Sequence, residues 1–217
     1  MWLTSSSIGR KLVMSISGLF LITFLTLHGS INLVAVFSPE GYNAACDFMG
    51  TNPIVQVMVP VLAFGFIIHI IYALVLTLQN RRARGNDRYR SSSKTPVAWN
   101  AKNMFVLGII ILGILAFHLT HFWQHMQLQE WMGNEGDKGF DLVVKTFQNP
   151  IVTVCYLIWF VAVWFHLTHG FWSAFQTIGW NNQIWFKRLR VIGIVLATLI
   201  MLTYVITACY FGFIYKG

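Results

Sequence analysis

The chain has 217 residues, of which 56% are hydrophobic and only 10% charged, far below the quarter or so of charged residues in an ordinary soluble domain. That composition excludes a water-soluble fold, and it gives the formal net charge of +8 a meaning other than nucleic-acid binding.

Charge-free runs cover 12–39, 49–80, 103–129, 146–186 and 191–215, and each holds the roughly 20 apolar residues needed to cross a hydrocarbon core about 30 Å thick. Runs this long and continuous suit helices rather than the short alternating strands of a barrel, so the expected fold is all-α, a single membrane domain of five transmembrane helices over residues 1–217. In chain order the spans are placed at 10–37, 53–80, 100–128, 150–178 and 188–214. The first follows Arg10 and Lys11 as a signal peptide would, but it is too long and no A-x-A-like site follows it, so it reads as helix I. Pro53 and Pro150 suit the first turns of helices II and IV. Trp2, Trp99, Trp131, Trp180 and Trp185 fall near span boundaries, where interfacial anchors sit. Cys46, Cys155 and Cys209 have no C-x-x-C spacing and read as packing residues rather than a zinc, iron–sulfur or disulfide motif.

Basic residues divide unevenly between the two sides. The N-terminus, the 81–96 connection, Lys102 and the start of helix V carry Arg10, Lys11, Arg81, Arg82, Arg84, Arg88, Arg90, Lys94, Lys187, Arg188 and Arg190. The opposite side holds only Lys138, Lys145 and Lys216, together with Glu40, Asp47, Glu130, Glu135, Asp137 and Asp141; Asp87 is the one acid on the basic side. The positive-inside rule then places the N-terminus in the cytoplasm and the C-terminus outside. The basic inner face suits either anionic lipid or a cytoplasmic partner.

All seven histidines lie in or at the end of the spans: His28 in I, His69 in II, His118, His121 and His125 in III, and His166 and His169 in IV. One intramembrane histidine suggests a hydrogen-bonded or proton-relay role; four helices each supplying at least one suggest axial ligation of haem iron by imidazoles on facing helices. At about 1.5 Å per residue, His28 and His118 lie roughly 15 and 18 Å from the outer ends of their helices, and His69 and His166 roughly 24 Å from theirs. Two levels result, with pairs His28/His118 and His69/His166. Gly170, one turn after His166, and Gly18 and Gly108, ten residues before His28 and His118, are small residues that could seat a porphyrin face. On helix III the spacing i, i+3, i+7 puts His118, His121 and His125 on one helix face; depth favours His118 over His121 as ligand.

The segments SSSIGRKLVMSISGLFLITFLTLHGSINL, FMGTNPIVQVMVPVLAFGFIIHIIYAL, GIIILGILAFHLTHFWQ and FHLTHGFWSAFQTIGW resemble the single-chain, di-haem cytochrome b subunits of bacterial succinate dehydrogenases and fumarate reductases, over most of the chain. The resemblance implies haem-iron ligands at His28, His69, His118 and His166, two haems b, and a haem-propionate contact at Ser15. It also implies an iron–sulfur subunit and a flavoprotein subunit carrying FAD, docked on the cytoplasmic face of a bacterial inner membrane, with quinone, menaquinone in preference, as the membrane substrate. Where some menaquinol-oxidising fumarate reductases have a proton-conducting glutamate two residues before the helix IV ligand, this chain has Trp164, which puts such a proton route in doubt.

The expected function is therefore electron transfer between membrane quinone and the cytoplasmic pair, with His121, Gln124 and His125 as candidates for holding a quinone carbonyl. No phosphate loop, flavin fingerprint or Ser–His–Asp arrangement occurs, so dicarboxylate chemistry belongs to another chain. The alternatives are a cytochrome b subunit of a hydrogenase, formate dehydrogenase or nitrate reductase, and a haem-free ion or proton transporter. The charge asymmetry yields a topological test: protease added from the cytoplasmic side should cut within 81–94 when partner subunits are absent. Cleavage there from the outside alone would reverse the topology.

Overall fold

The computed structural model describes residues 6–84, 98–180 and 182–216, and among these there is helix but no strand. Five helices are long and apolar enough to cross a membrane, over Ser7–Phe37, Pro53–Ala83, Trp99–Trp123, Pro150–Ile178 and Gln183–Ile214. The chain is thus a multi-pass, all-α membrane protein. Most of the 81–96 connection, with Asp87, Arg88, Arg90 and Lys94, lies outside the described residues, as does Trp2.

The helices begin and end where local chemistry says they should. Helix α1 (Ser7–Phe37) starts with the Ser6 hydroxyl accepting from the Gly9 N–H at 2.9 Å. Ser38 closes it and opens α2 (Pro39–Thr51): its N–H donates to the Val34 carbonyl, while its hydroxyl accepts from the Gly41 N–H. Asn52 plays the same double part before α3 (Pro53–Arg84), donating to Phe48 and accepting from Ile54 at 3.0 Å. Such side-chain oxygens satisfy N–H groups that a first turn leaves unpaired. Helix α4 (Trp99–His118) runs into a π-helical turn, Leu119–Trp123. At the end of the bundle away from Ser7, the end the sequence expectation calls outer, the connection then forms α5 (Gln127–Trp131) and α6 (Gly139–Phe147). Asn149 caps α7 (Pro150–Ile178), which ends at Gly179 with φ 104°, a left-handed conformation suited to glycine. Asn182 caps α8 (Gln183–Cys209), which continues as a π-helical segment, Tyr210–Ile214.

Three features differ from the sequence expectation. The segment between helices I and II is helical. The outer III–IV connection is mostly helical as well. The third span does not reach 128 as one α-helix, because the backbone loosens into the π turn after His118 and breaks at 124–126. Helices α2 and α6 are short and form an outer cap. Phe140, Val143 and Phe147 of α6 are buried with Tyr42 of α2, Tyr156 of α7 and Phe211. Tyr42 donates to Asn32 Oδ1 at 3.2 Å, and Asn43 Oδ1 accepts from the Phe140 N–H at 2.9 Å.

Helices α1, α7 and α8 pack on one another as the centre of the bundle, α3 packs on α1, and α4 packs on α7. Close backbone packing is lacking between α1 and α4, between α3 and α7, and between α3 and α4. Outer polar groups link the two peripheral spans instead: Gln127 Nε2 donates to Gln56 Oε1 at 2.9 Å, and Trp131 Nε1 donates to the same oxygen at 3.1 Å. Lipid-facing apolar side chains such as Ile54, Phe64 and Ile71 cover the outside of α3, as expected where hydrocarbon is the solvent.

In lipid, close approach and interhelical hydrogen bonds hold helices together. Tyr204 on α8 donates to the Leu25 carbonyl of α1 at 2.7 Å, and Trp164 Nε1 on α7 donates to Thr198 Oγ1 on α8 at 2.9 Å. Gly29 lets α1 and α8 meet: a Cβ there would collide with the Thr203 hydroxyl and lie 3.0 Å from the Tyr204 ring, whereas one at Gly113 would meet nothing within 4 Å. Gly29→Leu is therefore expected to destabilise the detergent-solubilised protein by about 1–3 kcal/mol, and Gly113→Ala to leave it unchanged or slightly more stable. Thermal unfolding of the two variants checks this.

Candidate functional site

Two histidine pairs stand at the centre of the structure. The rings of His28 on α1 and His118 at the end of α4 have centroids 6.0 Å apart and planes at 84°. Those of His69 on α3 and His166 on α7 have centroids 6.2 Å apart and planes at 64°. All four side chains are half-buried. Each pair bridges helices whose backbones do not pack closely, α1 with α4 and α3 with α7.

The pairs lie at separate depths. Ser17 Oγ of α1 is 3.3 Å from His69 Nδ1, and a Cβ on Gly18 would lie 3.3 Å from His69 Cε1, which sets the second pair level with residues 17–18 of α1. His28 lies ten residues further along the same helix, about 15 Å at the α-helical rise. The structure thus gives Gly18 a different task from the one its spacing suggests: it makes room for the His69 imidazole itself. Gly108 and Gly170 have nothing within 4 Å of a Cβ position. Ser15 is buried on the inner half of α1.

The π turn that follows α4 sets His125 apart from His118 and His121. After His118 the π turn changes the register, and His121 stacks on Tyr156 of α7 at 6.1 Å with its Nδ1 3.2 Å from the tyrosine oxygen. His125 lies beyond the helix and pairs with Asp137, Nδ1 to Oδ2 3.3 Å, with both side chains well exposed. The Gln124 carbonyl accepts from Gln129 Nε2 at 3.2 Å. The shared face expected for His118, His121 and His125 holds for the first two, which both reach Tyr156, and fails for His125, because an i, i+7 relation holds only along an unbroken α-helix. Of the quinone candidates, His121 faces Tyr156 and His125 pairs with Asp137, while Gln124 is engaged through its backbone carbonyl.

Aromatic side chains enclose the outer pair. Phe24 stacks on His28 at 5.2 Å and 15°, Tyr204 lies 6.0 Å from it, and Phe122 and Trp159 lie 5.1 and 5.8 Å from His118. Tyr156 Oη is 3.5 Å from His118 Nδ1 as well as 3.2 Å from His121 Nδ1. Three buried nitrogens on α7, Trp159 Nε1, His166 Nδ1 and His169 Nδ1, have no hydrogen-bond partner among the described residues. A buried donor left this way costs about 1–3 kcal/mol; the Trp159 N–H is one, each Nδ1 is one when it carries the ring proton, and a bound group with acceptor oxygens would satisfy them. At Trp164 the indole N–H is engaged by Thr198.

The residues fit the prosthetic group that the resemblance implies. A metal–imidazole bond of about 2.1 Å on either side, plus the roughly 1 Å from nitrogen to ring centre, sets two coaxial imidazoles about 6 Å apart, the separation found at both levels. No group of three or more His, Cys, Asp or Glu side chains able to hold a metal occurs among the described residues; a macrocycle requires only the two axial ligands from protein. The cysteines are unpaired and apart from the site. Sequence reasoning missed Ser17, Tyr156 and Trp159, although a hydroxyl or indole facing inward in a hydrocarbon-spanning helix is the signal that could have marked them.

No family model matches the chain, and comparison with curated proteins and with solved structures finds no match.

Both His118 and His121 reach Tyr156, but of the two only His118 faces His28 at 6.0 Å, which sets them apart if the pairs hold haem. His118→Ala should remove one bis-imidazole centre and leave the other, while His121→Ala should keep both. Optical spectra and haem content of the purified variants measure this, and the reverse result would move the ligand to His121.

Proposed function

We propose that this chain is the di-haem b membrane anchor subunit of a bacterial succinate:quinone or quinol:fumarate oxidoreductase. In this reading it carries electrons across the inner membrane between quinone, menaquinone in preference, and a cytoplasmic iron–sulfur and flavoprotein pair. The observation that carries the reading is the double juxtaposition of imidazoles: His28 with His118 and His69 with His166, each at a spacing that suits two axial ligands, on helices whose backbones do not pack closely.

When bound, a haem at each level would supply a one-electron carrier, held by His28 and His118 at one level and by His69 and His166 at the other. The protein's part is to hold, orient and insulate. Phe24, Trp159 and Tyr204 wall the outer pair against water. Tyr156 and Ser17 give ring nitrogens of His118 and His69 a hydroxyl partner. Oxidation of a quinol releases two protons with its two electrons, and at the outer end the imidazoles of His121 and His125, the latter beside Asp137, are the groups able to take them. With the N-terminus cytoplasmic, Lys102, Lys187, Arg188 and Arg190 lie at the inner helix ends beside Arg10, Lys11, Arg81 and Arg82. That surface suits the acidic face of a docked partner. The dicarboxylate active site, with FAD and iron–sulfur clusters, belongs to the partners.

The test is haem content and partner composition of the protein purified from its native membrane. Two haems b per chain, reduced by a menaquinol analogue, with flavin and iron–sulfur subunits attached, is the expected result. A preparation without a Soret band would instead favour a transporter, and one haem per chain would contradict the two-level site.

A further inference from the structure

Ser17 is 8% exposed on the inner half of α1, and its single hydroxyl proton has two neighbours. The oxygen lies 3.1 Å from the Met14 carbonyl and 3.3 Å from His69 Nδ1. A carbonyl can only accept, so the hydroxyl proton goes to Met14, the local back-bond that helical serines commonly make. The serine oxygen is then left as an acceptor toward the imidazole. Both contacts are hydrogen bonds only if His69 Nδ1 carries the ring proton, which leaves Nε2 as the nitrogen with a free lone pair. The hydroxyls of Thr23, Thr26 and Ser30 likewise donate to carbonyls of their own helix, but at exposed positions. Gly18 completes the arrangement, because a Cβ there would press on His69 Cε1 at 3.3 Å. The opposite histidine has no such brace, since His166 Nδ1 is unpartnered among the described residues.

We propose that Ser17 is the positioning residue of the inner centre: it fixes His69 in the tautomer that presents Nε2 to iron and, by accepting a hydrogen bond from Nδ1–H, strengthens the imidazole as a donor. This rests on the di-haem reading. A ligand imidazole whose remote N–H is hydrogen-bonded is more basic, and a more basic ligand stabilises oxidised iron over reduced iron. Ser17 therefore holds the inner midpoint potential low, and its removal raises that potential. The outer pair, about 15 Å away along α1, does not feel the change.

The experiment is an optical redox titration, with haem content, of the purified complex carrying the native serine, Ser17→Ala or Ser17→Thr. The expected result is two haems in all three, with one midpoint shifted upward in Ser17→Ala, the other midpoint unmoved, and the native value restored in Ser17→Thr. Loss of one haem from Ser17→Ala but not from Ser17→Thr would support the same role. Two haems with both midpoints unmoved in Ser17→Ala would overturn the inference and leave the di-haem reading standing. Loss of a haem from both variants would also overturn it, because threonine keeps the hydroxyl. Absence of haem from the native protein would remove the reading and the inference together.

Discussion

Everything in this bundle depends on how two peripheral helices are held. In hydrocarbon there is no hydrophobic force to press helices together, and close packing, interhelical hydrogen bonds or a shared bound group must do it. Helices α1, α7 and α8 meet through small residues and through the Tyr204 and Trp164 hydrogen bonds. Helices α3 and α4 each pack closely on one spanning neighbour, α1 and α7 respectively, and reach across to a further one by side chains, among them His69 toward His166 and His118 toward His28. The same imidazoles that mark the site thus mark the places where the bundle is thinnest. A flat group held at each level would complete the packing as well as the chemistry, and the proposed function follows from that coincidence.

The outer cap serves the same end. Helices α2 and α6 close the bundle over the outer pair by burying Tyr42, Phe140 and Val143. The Gln56, Gln127 and Trp131 contacts tie the outer end of α3 to the segment after α4, joining spans whose backbones do not pack closely. Glu130 lies in this seam, where partial burial and then the nearby Asp47 raise its pKa above the ordinary carboxylate range. In the proposed reading, the outer centre is therefore dry and aromatic on the bundle side and polar just above it, a suitable boundary between electron transfer and proton exchange.

Much of the architecture was legible in the sequence because length and apolar content decide it. The starts at Pro53 and Pro150 and the end at Ile178 agree with the expected spans. The short outer helices were not legible: a helix such as Pro39–Thr51 has little apolar signal of its own and draws its stability from docking. The end of the third span was misplaced because a π turn leaves no mark in hydropathy. Depth arithmetic alone brought His28 toward His118 and His69 toward His166, since one rise per residue applies to every straight helix. Ser17 and Tyr156 could not be found that way, because their roles come from contacts across helices that no spacing encodes.

The central claim of the proposed reading, that His28 with His118 and His69 with His166 would each hold a haem iron, is tested most directly by low-temperature electron paramagnetic resonance of the oxidised, purified protein. Ring planes at 84° and 64° call for two low-spin ferric signals of unusually large anisotropy, because crossed imidazole planes leave the iron orbitals nearly degenerate; the more nearly perpendicular outer pair should give the larger. A high-spin signal from iron with an open axial position, or no haem signal at all, would contradict the account.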